Sequence, residues 1–122
     1  MAFKLAIGDI IDFPVHLKLR DGGSFKDFKF SLLAKRIDSA QANELMTSGT
    51  TLGDLTIDEF LREKVTGWRG QALVLTEDNQ PAPYSVEAFS SLQELPGASL
   101  TMYQAYLNAV VASNGAKGVQ KN

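Results

Sequence analysis

The chain has 122 residues, with 12 Lys and Arg against 14 Asp and Glu, one His and no Cys, for a net charge of −2 at pH 7. One domain of that length buries roughly two-thirds of its unfolded surface, and a composition 44% hydrophobic and 21% charged belongs to a globular chain. Nucleic acid is not expected as the main partner, because phosphate binding needs clustered cations; the lack of cysteine excludes disulfides, thiol nucleophiles and cysteine-ligated zinc.

Residues 1–12 are apolar, partly β-branched and broken by Gly8, and read as either a strand or an arm. From Phe13 the alternation is clean: Phe13, Val15, Leu17 and Leu19 share one face, Pro14, His16, Lys18 and Arg20 the other. A turn cluster follows around Gly22 and Gly23, whose glycines are free to take positive φ. The alternation then resumes with Phe28, Phe30 and Leu32 opposite Lys29 and Ser31. Two such segments about a Gly-Gly turn predict a β-hairpin with an apolar inner face and a charged outer one.

A helix is expected over residues 37–46, with Asp38 or Ser39 as N-cap. Residues 47–56 have loop composition and are expected to be mobile. Thr56 with Glu59 fits a capping box for the next helix, on which Ile57, Phe60, Leu61 and Val65 form one stripe. Gly67 is read as its stop, through the left-handed conformation that helix ends favour. Trp68, the single tryptophan, then stands on the corner before a short apolar strand, residues 72–75, and is read as the hub of the core. Past a polar turn over residues 77–84, Ser85 has the place of an N-cap for a helix carrying Val86, Phe89 and Leu92, with Pro96 and Gly97 as its stop. A final helix runs over residues 98–112. It bears one stripe of Leu100, Tyr103, Leu107 and Val110 and a second of Met102, Tyr106 and Ala109. So wide an apolar arc is either deeply buried or shared with a partner. Residues 114–122 read as a frayed polar tail. The expected class is a single α+β domain over residues 1–122, an N-terminal antiparallel hairpin or small sheet packed against about four helices.

Little in the chain points to chemistry. His16 lies on the polar side of a strand, and Asp9 and Asp12 would not converge with it on a metal, so a surface histidine is the better account. One histidine alone makes no case for a Ser-His-Asp triad. Gly22 and Gly23 lack the Gly-Lys-Ser/Thr of a phosphate loop, and Glu77, Asp78 and Asn79 lack the spacing of a calcium loop. Asp58 and Glu59 open a helix, where acidic residues suit the macrodipole. Lys26, Lys29, Lys35 and Arg36 cluster within a short span that suits a solvated face or steers an acidic partner. No catalytic residue, cofactor or metal is expected. No apolar run reaches the ~20 residues that cross a bilayer, and Met1 to Lys4 do not open a signal peptide, so a cytoplasmic protein is expected.

Taken end to end, the segments resemble the small tail assembly chaperones of long-tailed bacteriophages and related prophages. The resemblance rests on a hairpin whose second strand ends at Lys35 and Arg36, a short helix, then Glu59, Phe60 and Leu61. It continues through the corner Val65, Thr66, Gly67 and Trp68, an acidic turn, and Pro83, Tyr84 and Ser85 opening a helix through Phe89. Pro96 and Gly97, the helix with Tyr106, and the closing Lys121 and Asn122 complete it, so it covers roughly residues 10–122. The spacer at residues 47–56 departs from the family in being long and rich in glycine and threonine. The resemblance implies a non-catalytic protein that binds the helical tape measure protein, keeps it soluble and helps tail tube subunits polymerise around it. It further implies absence from the mature virion, residence in the bacterial host's cytoplasm, and in many members a longer form made by translational frameshifting. On this view Leu100, Tyr103, Tyr106, Leu107 and Val110 divide between core and partner groove, and the hairpin edge serves self-association. Two other readings compete: a structural tail or connector protein retained in the virion, and a small enzyme or ligand-binding domain with a pocket at Trp68 and Tyr84.

Overall fold

The computed structural model describes residues 8–48 and 56–112. The chain runs β1 (Ile10–Asp21), β2 (Ser24–Lys35), α1 (Ser39–Ser48), α2 (Ile57–Lys64), β3 (Val65–Arg69), α3 (Val86–Gln93) and α4 (Ala98–Ala112). The strands form one antiparallel sheet in the order β1-β2-β3, and the class is α+β. Most of the expected loop at 47–56, the tail at 114–122 and the first seven residues of the strand-or-arm segment lie outside the described residues.

The hairpin follows the alternation. Phe13 faces Leu32, Val15 faces Phe30 and Leu17 faces Phe28 on the inner side, while Pro14, His16, Lys18 and Arg20 stand outside. Asp21 pairs with Ser24 across two residues, of which Gly22 alone has positive φ (65°), the pattern of a type II′ turn that matches strand twist. Helix α1 is capped by Asp38: its Oδ1 accepts from the Gln41 N–H at 2.8 Å, and its own N–H donates to Gln41 Oε1 at 3.3 Å. The capping box at α2 forms as expected, Glu59 N–H to Thr56 Oγ1 at 3.1 Å and Thr56 N–H to Glu59 Oε1 at 2.9 Å.

The passage after α2 differs from the sequence expectation. Val65, not Gly67, ends the helix, and the chain enters β3 directly with extended dihedrals (φ −73°, ψ 132°). Gly67 lies inside β3 opposite Leu33, where a Cβ would stand 3.2 Å from Leu33 Cδ1; the glycine serves close approach, not a left-handed turn. Thr66 is the extra residue of a β-bulge and donates its hydroxyl to the Leu33 carbonyl at 3.3 Å. The strand expected at residues 72–75 is reduced to one bridge, Leu75 to Pro81. Pro81 and Pro83 have no N–H to extend a ladder, and the Gln71 side chain takes the backbone groups a partner strand would use. Its Oε1 accepts from the N–H groups of Leu73 (3.0 Å) and Val74 (2.8 Å), and its Nε2 donates to the carbonyls of Val74 (3.0 Å) and Ala82 (3.1 Å).

Helix α3 begins at Ser85, whose Oγ accepts from the Ala88 N–H at 3.0 Å. Gly97, at φ +83°, turns the chain between α3 and α4, and its carbonyl accepts the Thr101 N–H at 3.1 Å. Helix α4 packs across the inner side of β1, with α1, α2 and α3 around it. Its Tyr106, fully buried, sits edge-on to Phe13 (ring centroids 5.8 Å apart) and Phe60 (5.6 Å), and Phe60 meets Tyr103 at 5.6 Å. Such edge-to-face pairs contribute roughly 0.5–1.5 kcal/mol each beyond area burial. The centre of the core is therefore Tyr106. Trp68 is half-buried at its margin, because its indole N–H must reach a carbonyl, that of Ala82 at 3.0 Å.

Candidate partner-binding site

Helix α4 carries the five residues singled out for partner binding, and the fold separates them. Tyr103, Tyr106 and Val110 point into the core. Leu107 is half-buried, and Leu100 is 50% exposed. The two leucines are seven residues apart, nearly two turns, so they lie one above the other on a single line along the helix. Inward of that line, burial pushes the Tyr106 hydroxyl up to about 12, outweighing the opposing charge of Arg36, and the group donates to the Lys35 carbonyl at 2.7 Å. That bond ties α4 to the end of β2. Burial raises Tyr103 as well.

At the Trp68 corner the indole meets Tyr84 edge-on at 5.3 Å and Phe89 at 6.4 Å. Tyr84 donates to the Val65 carbonyl at 3.0 Å, and burial raises its hydroxyl. A depression of about 330 Å³ lies here, lined by Trp68, Gly70, Gln71, Pro81, Ala82, Pro83 and Tyr84. The polar groups at its wall are already engaged: the indole N–H and the Gln71 amide both donate to the Ala82 carbonyl. Tyr84 is the single ionisable side chain in that lining.

The outer face of the sheet collects charge from all three strands. Lys18 and Arg20 come from β1, Lys29 and Lys35 from β2, and Arg69, opposite Ser31, from β3. Two carboxylates stand among them. Asp12 accepts from Arg69 Nη1 at 3.1 Å, and Asp27 lies 3.0 Å from His16 Nε2. The hydrogen bond from His16, helped by the charges of Lys18 and Lys29, holds the Asp27 carboxyl below the usual range. Arg20 stacks its guanidinium over the Phe25 ring at 4.4 Å. Lys26, counted with Lys29 and Lys35 in the linear cluster, is on the opposite side of the hairpin and pairs with Asp21 at 2.7 Å, which lowers that carboxyl. Period-2 geometry divides what proximity in sequence groups. Between Pro14, Val15, His16, Lys29, Phe30, Ser31 and Arg69 the face dips into an open depression of about 440 Å³.

Among the described residues no three His, Asp or Glu side chains gather where a metal ion could be held, and no helix is long and apolar enough to cross a membrane. Sequence reasoning missed Gln71 and Gln93, the two buried polar residues of the described chain. Gln93 accepts from Arg62 Nη1 at 2.9 Å and donates to the Asp58 carbonyl at 3.1 Å, tying α3 to α2. Gln93 is not marked by its neighbours in sequence, because its partners lie on α2; Gln71 bonds its near neighbours Leu73 and Val74 and reaches Ala82 across the turn. Comparison of the chain with protein-family models, curated proteins and solved structures gives no match.

Proposed function

We propose that the chain is a non-catalytic tail assembly chaperone that binds the tape measure protein through the exposed margin of α4 and assists tail tube polymerisation. The order of segments that resembles this family supplies the partner. The observation that carries the reading is the leucine line of α4, where Leu100 is half-exposed and Leu107 half-buried beside a core already filled by Tyr103, Tyr106 and Val110. An apolar stripe left over after the core is complete suits a helix laid against another amphipathic helix. The two buried glutamines, Gln71 and Gln93, hold backbone groups and Arg62, a packing role that suits a binding module.

Co-expression with the tape measure protein tests this. Leu100→Asp should leave folding intact, because the side chain is half in solvent, and should cut capture of the tape measure protein by at least about tenfold. Full capture by a folded Leu100→Asp variant counts against the α4 margin. Tyr106 is unsuitable for the purpose, since a charge there disrupts the core. Mass spectrometry of purified virions separates the chaperone from a connector protein, because the chaperone should be missing from the particle.

A further inference from the structure

The chain as a whole is acidic, yet its outer sheet face is not. Five cations, Lys18, Arg20, Lys29, Lys35 and Arg69, stand there against Asp12 and Asp27. Both carboxylates are already engaged, with Arg69 and His16, so the charge facing solvent is cationic. Of the other described acidic residues, Asp9 and Asp21 stand at the two ends of the hairpin, Asp38 and Glu44 beside and on α1, Asp58, Glu59 and Glu63 on α2, Glu77 and Asp78 on the turn before α3, and Glu87 and Glu94 on and beside α3. The outer face is therefore richer in cations than the rest of the described chain, and a long strand pair keeps it so. Alternation sends every second side chain of two 12-residue strands to the same side, over a length of roughly 40 Å at ~3.3 Å per residue.

We propose that this face is a docking surface for an acidic polypeptide segment, with the depression between Pro14, His16, Lys29 and Arg69 receiving an apolar side chain of that segment. Charge complementarity selects the occupant. On a chain of net −2, an acidic partner is favoured where cations outnumber carboxylates, as they do on this face. A polypeptide fits better than nucleic acid. Asp12 and Asp27, each one row in from an end of the face, break the run of cations where they would oppose a continuous phosphate backbone, and a peptide can place its carboxylates beside Lys18, Lys29 and Lys35 and skip those positions. Val15 and Phe30 turn their side chains inward and bring only backbone to the depression, but Pro14 lines it from the outer face and gives an apolar wall that the charges alone lack. This surface is on the opposite side of the sheet from α4, and the proposal stands independently of the tape measure reading.

The test uses the full chain and a fluorescein-labelled poly-L-glutamate peptide, followed by fluorescence anisotropy at low and high salt, with poly-L-lysine and a DNA duplex of similar length as controls. Poly-L-glutamate should bind at low salt and be released at high salt. The Lys18→Glu/Lys29→Glu variant, both positions exposed and outside the core, should weaken that binding at least about tenfold in a chain that still unfolds cooperatively. The matched Lys26→Glu/Lys64→Glu variant, on the other side of the hairpin and on α2, should bind as the parent does. Four results overturn the proposal: no binding of poly-L-glutamate at low salt; equal loss in the two double variants; tighter binding of the DNA duplex, which makes the face a nucleic-acid surface; or salt-sensitive self-association of the chain that the Lys18→Glu/Lys29→Glu change abolishes, which makes a second copy the occupant.

Discussion

Tyr106 and Gln71 show how single side chains join segments that no local signal connects. The Tyr106 hydroxyl crosses from α4 to the last residue of β2, and its ring fills the space between Phe13 and Phe60. Tyr106→Phe keeps the ring and leaves the Lys35 carbonyl without that donor, so it should cost about 1 kcal/mol in urea unfolding with the slope unchanged. Gln71 acts on a different unit. It satisfies two N–H groups and two carbonyls of the segment between β3 and α3, which has one bridge for a ladder. Gln71→Ala should speed hydrogen exchange at Leu73 and Val74 and shift Trp68 emission, while the amides of α4 keep their protection. Equal loss of protection in α4 would show that the segment and the core open together.

The helix starts are the most local of the elements, and they were legible. Thr56 with Glu59, Asp38 and Ser85 all cap helices through bonds to residues three positions on. Ser85→Ala should destabilise the fold by about 1 kcal/mol in thermal or urea unfolding. The hairpin was legible for a similar reason, since period-2 alternation and a two-glycine turn are contained in one stretch. Its outer edge holds a further consequence. Arg36 donates its N–H to the Asp9 carbonyl at 2.6 Å, which marks the pair next to Ile10 and Lys35 as hydrogen-bonded. Alternation then turns the backbone groups of the even-numbered residues of β1 away from β2. Among the described residues nothing pairs with them, and Pro14 stands in that row with no N–H to offer. Proline and charge on an edge discourage strand-to-strand aggregation, so Pro14→Val should increase aggregation, measured by light scattering on mild heating.

For the molecule as a whole, the three tyrosines, Tyr84, Tyr103 and Tyr106, share one direction of shift. Each is raised by burial from an ordinary value of 10.0, Tyr106 to about 12. Below the ordinary value both folded and unfolded chains hold these protons, and stability is independent of them. Above it the unfolded chain has released protons that the folded chain retains, so stability falls as pH rises from about 10 to about 12. Absorbance at 295 nm should therefore show less tyrosinate in the native protein than in the unfolded one at the same alkaline pH, and its full appearance should coincide with loss of the helical circular dichroism signal. Ordinary titration of all three tyrosines in a protein that stays folded would contradict the burial of this core.

By itself the amino-acid sequence determined the α+β class, the hairpin and its inner face, the helix caps and the apolar breadth of α4, because each is written in spacings of two to four residues. Tertiary structure decided the rest. It put Gly67 in a strand against Leu33, cut the 72–75 segment to a single bridge, and moved the centre of the core from Trp68 to Tyr106. It also gathered Lys18, Lys29 and Arg69 on one face while sending Lys26 to the other. Those outcomes turn on which residues meet across long stretches of chain, and a cross-strand neighbour or a buried carbonyl leaves no trace in the spacing around the residue it governs.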